Sequence, residues 1–321
     1  MAEITTKGIL ALLKSSASEF IENNSFRLAG ALAFNAIFSI PPLLIIIIRA
    51  AGYFWGEEAV SGELSKQISS AIGPSAATQI EDIVQHAHTS ESSGIAFWVS
   101  IGVLLFTSTT FFATLQESLN SVWNLKPKPT NGIMKMVKVR LFSFGIVLSI
   151  ALLMLVSLVL SAAISIVSEY FTDMFPDISF FFMKLVDFVV SAGIVSVLFA
   201  LIFKYLPDAT IRWKDVWVGA IVTAFLFALG KFLISFYIST SDPGSAYGAA
   251  GSIIVILVWI YYTSLIVFFG SELAQEYADK FGQRIRPKEH AVFVKLIEVT
   301  EDEDDTKSGR PRAEGRFNKN P

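Results

Sequence analysis

The chain has 321 residues, of which 53% are hydrophobic, and its formal net charge at pH 7 is −3. A mean hydropathy of +0.57 would leave a soluble domain with large exposed apolar patches, so the composition excludes an ordinary soluble protein. The small net charge gives no indication of a nucleic-acid partner, and the absence of cysteine excludes disulfides, thiolate catalysis and cysteine-based metal sites.

The N-terminal segment, residues 1–27, predicts an amphipathic helix over residues 5–23. The apolar residues that share one face at helical spacing are Ile9, Leu13, Ala17 and Phe20. Such a helix either lies along the cytoplasmic membrane interface or packs on the helix bundle, and both interpretations stay open. The apolar stretch Ile9–Leu13 is too short for a signal-peptide core, so we expect the first spanning helix to act as an uncleaved insertion signal.

Long apolar runs follow the N-terminal segment, and each is long enough to cross about 30 Å of hydrocarbon, which takes ~20 helical residues. The six runs cover residues 28–55, 94–115, 141–167, 180–205, 216–238 and 249–271. The sequence therefore predicts an all-α, polytopic membrane protein with six transmembrane helices, whose transmembrane domain extends over residues 28–274.

Lysine and arginine alternate between the connections, which predicts the orientation because short loops rich in these residues stay in the cytoplasm. The cation-rich segments are 1–27, 116–140, 204–215 and 275–321. The loop 56–93 carries only Lys66 against six acids, and the connections 168–179 and 239–248 carry no Lys or Arg. We therefore expect both termini in the cytoplasm.

The first long loop predicts two short helices that lie as a cap over the extracytoplasmic face. Leu64, Ile68 and Ile72 repeat every four residues before Pro74, and a second apolar stripe covers residues 80–87. The histidines that follow are His86 and His88. Because their spacing does not place both on one helix face, we interpret them as solvated loop residues and not as a metal site.

Charged residues inside spanning helices are costly and therefore mark candidate functional sites. The four in this chain are Arg49, Lys184, Asp187 and Lys231. At about 1.5 Å per residue, Arg49, Asp187 and Lys231 lie roughly 10 Å below the outer edge. Either the cations snorkel outward and Asp187 pairs with Lys184, or the three residues line an outward-facing cavity that suits an anionic substrate.

A second polar set lies nearer the inner side of the membrane. Its members are Asn35, Ser39, Gln116 and Asn120. The adjacent Pro41 and Pro42 predict a bend in the first span, because proline removes backbone donors and leaves carbonyl groups in need of partners. Amide side chains of the second span either supply those donors and line a pathway, or hydrogen-bond the two helices together.

The C-terminal tail, residues 275–321, begins as a continuation of the last helix as far as Arg284. The segment after Val299 has few apolar residues, with the acidic run Glu301–Asp305 followed by a basic, Gly- and Pro-containing end. We expect a cytoplasmic tail that is disordered from about residue 300.

Short motifs distributed along the chain resemble the YihY/BrkB family of membrane proteins. They are LAGALAFNAIFSIPPLL at 28–44, LQESLNSVW at 115–123, YLP at 205–207, YGAAG at 247–251, LVWIY at 257–261 and GSELA at 270–274. Together they cover residues 25–280 in the family's order. The resemblance implies a six-span protein of the bacterial inner membrane, and no agreed biochemical activity follows from it.

The family also carries an older ribonuclease BN label, which the residues allow us to examine. Metal-dependent RNA cleavage needs clustered histidine and carboxylate ligands. We find no such arrangement around His86, His88 or His290, and expect no acids grouped near a histidine on the inner face. The sequence therefore predicts no nuclease activity, no enzyme, no cofactor and no metal.

The leading functional hypothesis is movement of an amphiphilic or anionic substrate across or within the membrane, because intramembrane charge and a proline-broken helix occur together at transporter sites. With no nucleotide-binding motif, transport would be passive, ion-coupled or driven by a partner, and the lack of an internal repeat weighs against it. The alternative is a scaffold for envelope assembly whose polar groups are dry and paired. Expected partners are membrane lipids, an anionic lipid or solute, envelope proteins or a second copy, and no nucleic acid.

Overall fold

A computed structural model describes residues 6–72, 95–128, 176–241 and 251–294. Its helices are α1 Thr6–Glu22, α2 Ser25–Trp55, α3 Glu57–Ile72, α4 Ile95–Val122, α5 Pro176–Tyr205, α6 Trp213–Ser241 and α7 Gly251–Lys280. Its strands are β1 Leu125–Pro127, β2 Ala209–Thr210, β3 Arg286–Pro287 and β4 Ala291–Phe293.

Five of the six predicted spans coincide with helices α2, α4, α5, α6 and α7. The remaining one, 141–167, lies outside the described residues. Two segments of the described chain, Trp213–Ile234 and Ile253–Lys280, are long and apolar enough to cross a membrane, and Ser25–Ile40 and Val189–Tyr205 are shorter apolar helices. The chain is thus mainly helical where it is described, and the number of six spans stays a prediction.

Helix α7 has the central position in the described part, where it packs against α6, α2 and α1, while α4 packs on α2 and α5 packs on α6. The main core cluster lies where α4, α5 and α7 end and where α2 and α6 begin, a region that we call the base. Its fully buried side chains include Leu119, Trp123, Phe203, Val216 and Phe268. The base is therefore the end of the bundle where most helices meet in a dry core.

Close approach of α6 and α7 depends on glycine. A Cβ atom at Gly219 would overlap the backbone carbonyl oxygen of Gly270, and one at Gly270 would overlap the Thr223 hydroxyl group. Farther along α6, a Cβ at Gly230 would overlap the ring of Tyr262, whose hydroxyl group donates a 2.7 Å hydrogen bond to the carbonyl oxygen of Leu226. Small residues thus let the two backbones touch, as in other membrane helix pairs.

Helix α1 packs on α7, which agrees with one of the two interpretations of the N-terminal segment. Its buried face consists of Leu12, Ser16 and Phe20, which are spaced by one helical turn. This buried stripe shares only Phe20 with the predicted apolar stripe, because docking on α7 selects a different side of the helix and leaves Ile9 and Leu13 exposed. A position of α1 at the membrane interface stays a prediction.

Helix α3 forms where the first of the two cap helices was predicted. The chain turns at Gly56, whose φ of 91° lies in a region that glycine adopts without strain. Leu64 is buried against Leu44, Ile48 and Trp259, so α3 is folded back onto α2 and α7. The second predicted helix, with Pro74, His86 and His88, lies outside the described residues.

Strands at the base are the main departure from the predicted all-α fold. Strand β1 pairs with β4 and β2 pairs with β3, both antiparallel. The last helix ends at Lys280 and not at Arg284. Just beyond it, Gly282 lies against the carboxylate of Asp215, where a Cβ would come within 2.5 Å of Oδ1. Such short strands escape detection because they are too short to show an alternating pattern.

Candidate functional site

A polar cluster at the base has Asp208 at its centre. Gln116 and Asn120 lie one turn apart on α4 and are buried, so both amide groups reach the same point. Asp208 follows the end of α5, directly after the Tyr205-Leu-Pro207 motif, and is 8% exposed. The tail contributes Lys288 and His290. We call these five residues the Asp208 cluster.

Both carboxylate oxygens of Asp208 accept hydrogen bonds from α4. Gln116 Nε2 donates to Oδ1 over 3.0 Å and Asn120 Nδ2 donates to Oδ2 over 2.9 Å. In return, the backbone N–H of Asp208 donates to Asn120 Oδ1 over 2.7 Å. Hydrogen bonds to an ionised carboxylate are stronger than neutral ones, so this arrangement joins α4 firmly to the α5–β2 connection.

The tail closes the same cluster from the other side. His290 Nε2 lies 3.1 Å from Asp208 Oδ1, and the backbone N–H of Lys288 donates to the Asp208 carbonyl oxygen over 2.9 Å. Lys288 Nζ donates to the carbonyl oxygens of Pro207 at 2.8 Å and Tyr205 at 3.3 Å. Burial lowers the pKa of Lys288, with Asp208 acting in the opposite direction and Lys204 in the same one.

The contact between His290 and Asp208 was not predicted from the sequence, which indicated only that no group of acids lies near a histidine on the inner face. The two residues are 82 positions apart, which hides the pair from sequence inspection. Among the described residues no three histidine or acidic side chains gather as a metal site would require. The pair alone is too small for the clustered ligands of metal-dependent hydrolysis.

A second polar group at the base joins α1, α4 and α7. Glu272 is 1% exposed, and Asn23 Nδ2 donates to its Oε1 over 2.5 Å and to the Val122 carbonyl oxygen over 3.0 Å. Beside it, Ser15 Oγ donates to Glu276. Glu272 belongs to the GSELA motif, and the sequence offered no sign that it would be buried.

Glu19 on α1 faces the same group of acids. Partial burial is the main cause that raises the pKa of Glu19, and the negative charges of Glu22 and Glu276 raise it further. The interface between α1 and α7 therefore favours the neutral form of this carboxyl group.

The predicted inner set is divided by the structure. Gln116 and Asn120 come together at Asp208, whereas Asn35 Nδ2 donates to Thr114 Oγ1 over 3.2 Å and so bonds α2 to α4. Ser39 is buried. The helix is not broken at the prolines, because α2 is one continuous helix through Pro41 and Pro42, and a bend at this point stays a prediction.

The predicted outer set is only partly described. Arg49 lies on α2 and Asp187 on α5, but their side chains, like that of Lys184, lie outside the described part of the structure. Lys231 is exposed on α6, ten residues before the helix ends at Ser241. Convergence of these charges on a cavity stays a prediction.

Comparison with known proteins adds the context of a family. The profile of a family described as virulence factor BrkB matches residues 16–293. UPF0761 membrane protein NTHI0384 of Haemophilus influenzae is 28% identical over 273 residues, which are 83% of this chain and 94% of that protein.

Two further relatives are UPF0761 membrane proteins of Verminephrobacter eiseniae and Rhodospirillum centenum. The first is 28% identical over 76% of this chain and the second 26% identical over 82%. The chain spans 56% of the length of each, so both relatives are considerably longer. No solved structure shows a significant match.

Proposed function

Because this chain belongs to the virulence factor BrkB family of membrane proteins, we propose that it moves an amphiphilic or anionic substrate across or within the bacterial inner membrane. In this proposal the chain crosses the membrane six times with both termini in the cytoplasm. The base, with its cation-rich connections, then faces the cytoplasm.

The observation that carries the proposal is the environment of Lys231. This residue is exposed within Trp213–Ile234, a segment that is long and apolar enough to cross a membrane, and Leu229, Phe232 and Leu233 beside it are exposed apolar side chains. A cation in apolar surroundings is costly unless water or an anion accompanies it. None of the ion pairs within the described residues involves Lys231. A phosphate-bearing headgroup or an anionic solute would provide a counter-charge, with Arg49 and Asp187 completing the proposed outer site.

We propose no enzymatic role for the Asp208 cluster. The carboxylate of Asp208 already contacts the amide groups of Gln116 and Asn120 and the ring of His290. Its backbone carbonyl oxygen accepts a hydrogen bond from the tail, and these contacts together hold the helix ends in place. A carboxylate that is occupied in this way is a poor candidate for a metal ligand or a general base, because three of its roughly four lone-pair positions already face hydrogen-bond partners.

A membrane scaffold for envelope assembly is the second candidate function. The Asn35–Thr114 hydrogen bond favours it, because it pairs polar groups of α2 and α4, and Ser39, one turn from Asn35, is buried. In this case Lys231 would snorkel toward the interface and carry no substrate.

The test uses the natural absence of cysteine. Single cysteines replace Lys231 and, as a control on the same helix, Leu229, and each is treated with a membrane-impermeant thiol reagent from either side. The purified protein is also placed in vesicles of phosphatidylcholine and phosphatidylglycerol that contain fluorescent phosphatidylglycerol, and dithionite reports transfer between leaflets.

Transport predicts labelling at position 231 but not at 229, and leaflet transfer that falls on the order of tenfold in Lys231→Gln. The exposed Lys214→Gln at the base is the matched control and should transfer lipid at the wild-type rate. Transfer no faster than in protein-free vesicles, together with an unlabelled position 231, would select the scaffold.

A further inference from the structure

A basic cavity lies at the base, directly after the last helix. Its volume is about 460 Å³ and its walls are Gln283, Arg284, Ile285, Arg286, Pro287 and Phe293. It begins three residues beyond Lys280, the last residue of the long apolar segment Ile253–Lys280. No part of the Asp208 cluster lines this cavity.

The backbone that carries the two arginines is held in place. Ile285 between them is 2% exposed and belongs to the main core cluster, whereas Arg284 and Arg286 are exposed. Arg286 pairs with Thr210 across β2 and β3, and Thr210 Oγ1 donates to the Arg286 carbonyl oxygen over 3.0 Å. Both arginine side chains are exposed on either side of the buried Ile285, so both lie on the side away from the core.

An acidic side chain near Arg284 compensates the positive charge of the arginine pair only weakly. Arg284 Nε lies 4.0 Å from Asp279 Oδ2, the limit for an ion pair, and the Arg284 side chain is 81% exposed. That contact involves one of the five N–H donors in the guanidinium group. The other donors keep the planar fork that binds a phosphate group through two hydrogen bonds.

The cavity also has an apolar wall. Phe293 on β4 is a cavity residue and is exposed, although its strand is paired with β1 through Leu125. An aromatic wall beside two arginines, close to the end of a helix that is long and apolar enough to cross a membrane, matches a molecule with a phosphate group next to an apolar part.

We propose that this cavity binds a phosphate group, carried either by an anionic phospholipid headgroup or by a soluble phosphate compound. The site recognises the phosphate through Arg284 and Arg286 and accommodates its less polar neighbour against Phe293. It does not depend on transport, because it lies apart from Lys231 and would operate equally in a scaffold.

The test measures binding to the whole protein in neutral detergent. Native mass spectrometry counts phosphatidylglycerol retained against phosphatidylcholine, and a thermal-shift titration with inorganic phosphate examines the soluble source. The variant is Arg284→Gln combined with Arg286→Gln, and the matched control is Arg27→Gln, an exposed arginine at the start of α2 that does not line the cavity. Arg284→Gln alone serves if the double variant does not fold.

We expect the wild type to prefer phosphatidylglycerol and the double variant to lose this preference on the order of tenfold, with Arg27→Gln unchanged. Stabilisation by inorganic phosphate that the same variant abolishes, without a lipid preference, would assign the site to a soluble phosphate compound. Equal retention of both lipids and no phosphate effect, or equal losses in variant and control, would overturn the proposal.

Discussion

Asn120 and Asp208 hold each other by two hydrogen bonds that run in opposite directions. The amide of Asn120 donates to the Asp208 carboxylate, and the Asp208 backbone N–H donates to the carbonyl oxygen of the same amide. One amide side chain thus holds both the side-chain carboxylate and the backbone of Asp208 in the α5–β2 connection. Because both residues are buried, each would be left with unpaired polar groups if the other were removed.

Replacing Asn120 should therefore destabilise the fold strongly. In Asn120→Asp two carboxylates face each other in a buried site, and we expect a loss of about 3 kcal/mol in the free energy of unfolding. Asn120→Ala should cost about 1–3 kcal/mol, because it leaves polar atoms unpaired. Thermal unfolding in detergent measures both, and Glu117→Gln, exposed on the same helix, should change the stability by less than about 0.5 kcal/mol. A wild-type midpoint in Asn120→Asp would contradict the pairing.

Gly219 should not tolerate alanine. Its Cβ would overlap the carbonyl oxygen of Gly270 and come within 2.8 Å of Ala274 Cβ, so α6 and α7 would have to separate. We expect a loss of about 1–3 kcal/mol, measured by thermal unfolding. The control is Gly30→Ala on α2, where nothing lies within 4 Å of the added carbon. There alanine should stabilise by up to about 1 kcal/mol because it is the better helix former. Equal effects at the two positions would exclude close packing as the cause.

Trp123 should contribute to the stability of the fold through a hydrogen bond as well as through its buried ring. It is fully buried, and its Nε1 donates a 3.1 Å hydrogen bond to the Ser271 carbonyl oxygen, which ties α4 to α7. Trp123→Phe should cost about 1–3 kcal/mol through the unpaired carbonyl group and the space left behind. Trp213→Phe is the control, because Trp213 is exposed and lies 5.8 Å from Lys204 Nζ, and should cost less than about 1 kcal/mol. Chemical unfolding followed by circular dichroism separates the two.

Glu19 gives the fold a pH dependence with a definite sign. Its pKa in the folded protein is raised above the ordinary 4.5, so the folded state binds more protons than the unfolded state just above that pH. Stability from this group is therefore present at low pH and is lost as the pH rises through the raised value. Glu19→Gln should be more stable than the wild type at neutral pH and lose this advantage below pH 4.5. An advantage that grows on acidification would contradict the assigned environment.

A designed disulfide would show that the tail is docked. Lys126 and Val292 are directly opposite in the β1–β4 ladder, and the flanking bonds from Val294 N to the Asn124 carbonyl oxygen and from Lys128 N to the His290 carbonyl oxygen place them at a hydrogen-bonded position. Opposed residues of this kind have Cα atoms about 5.5 Å apart, within the range for a disulfide.

The pair Lys126→Cys and Val292→Cys should cross-link under mild oxidation, whereas Lys126→Cys with Glu289→Cys, out of register, should not. The chain has no other cysteine to compete. A shift on non-reducing gels or the loss of free thiol measures the yield. Equal yields for both pairs would mean that the tail samples the base without a fixed register.

The location of the helices could be predicted from the sequence because apolar length is a local property. Five predicted spans coincide with helices, although α4 continues from residue 115 to 122 and α7 from residue 271 to 280. Both extensions contain polar residues such as Asn120 and Glu272 and so lie outside the predicted spans, although the sequence already indicated that the last helix continues into the tail. They are helical because the base buries them.

The sequence by itself determined that this is a helical membrane protein, which family it resembles and which polar residues lie on its spans. Only the tertiary structure decided what those residues contact, because Gln116 and Asn120 meet an aspartate 92 and 88 positions away and Asn23 meets Glu272 across 249. The tail strands and the basic cavity likewise arise from pairing between distant segments. Hydrophobic periodicity identifies which side of a helix is buried. It does not indicate which polar group from a distant segment will form a hydrogen bond in the buried interior.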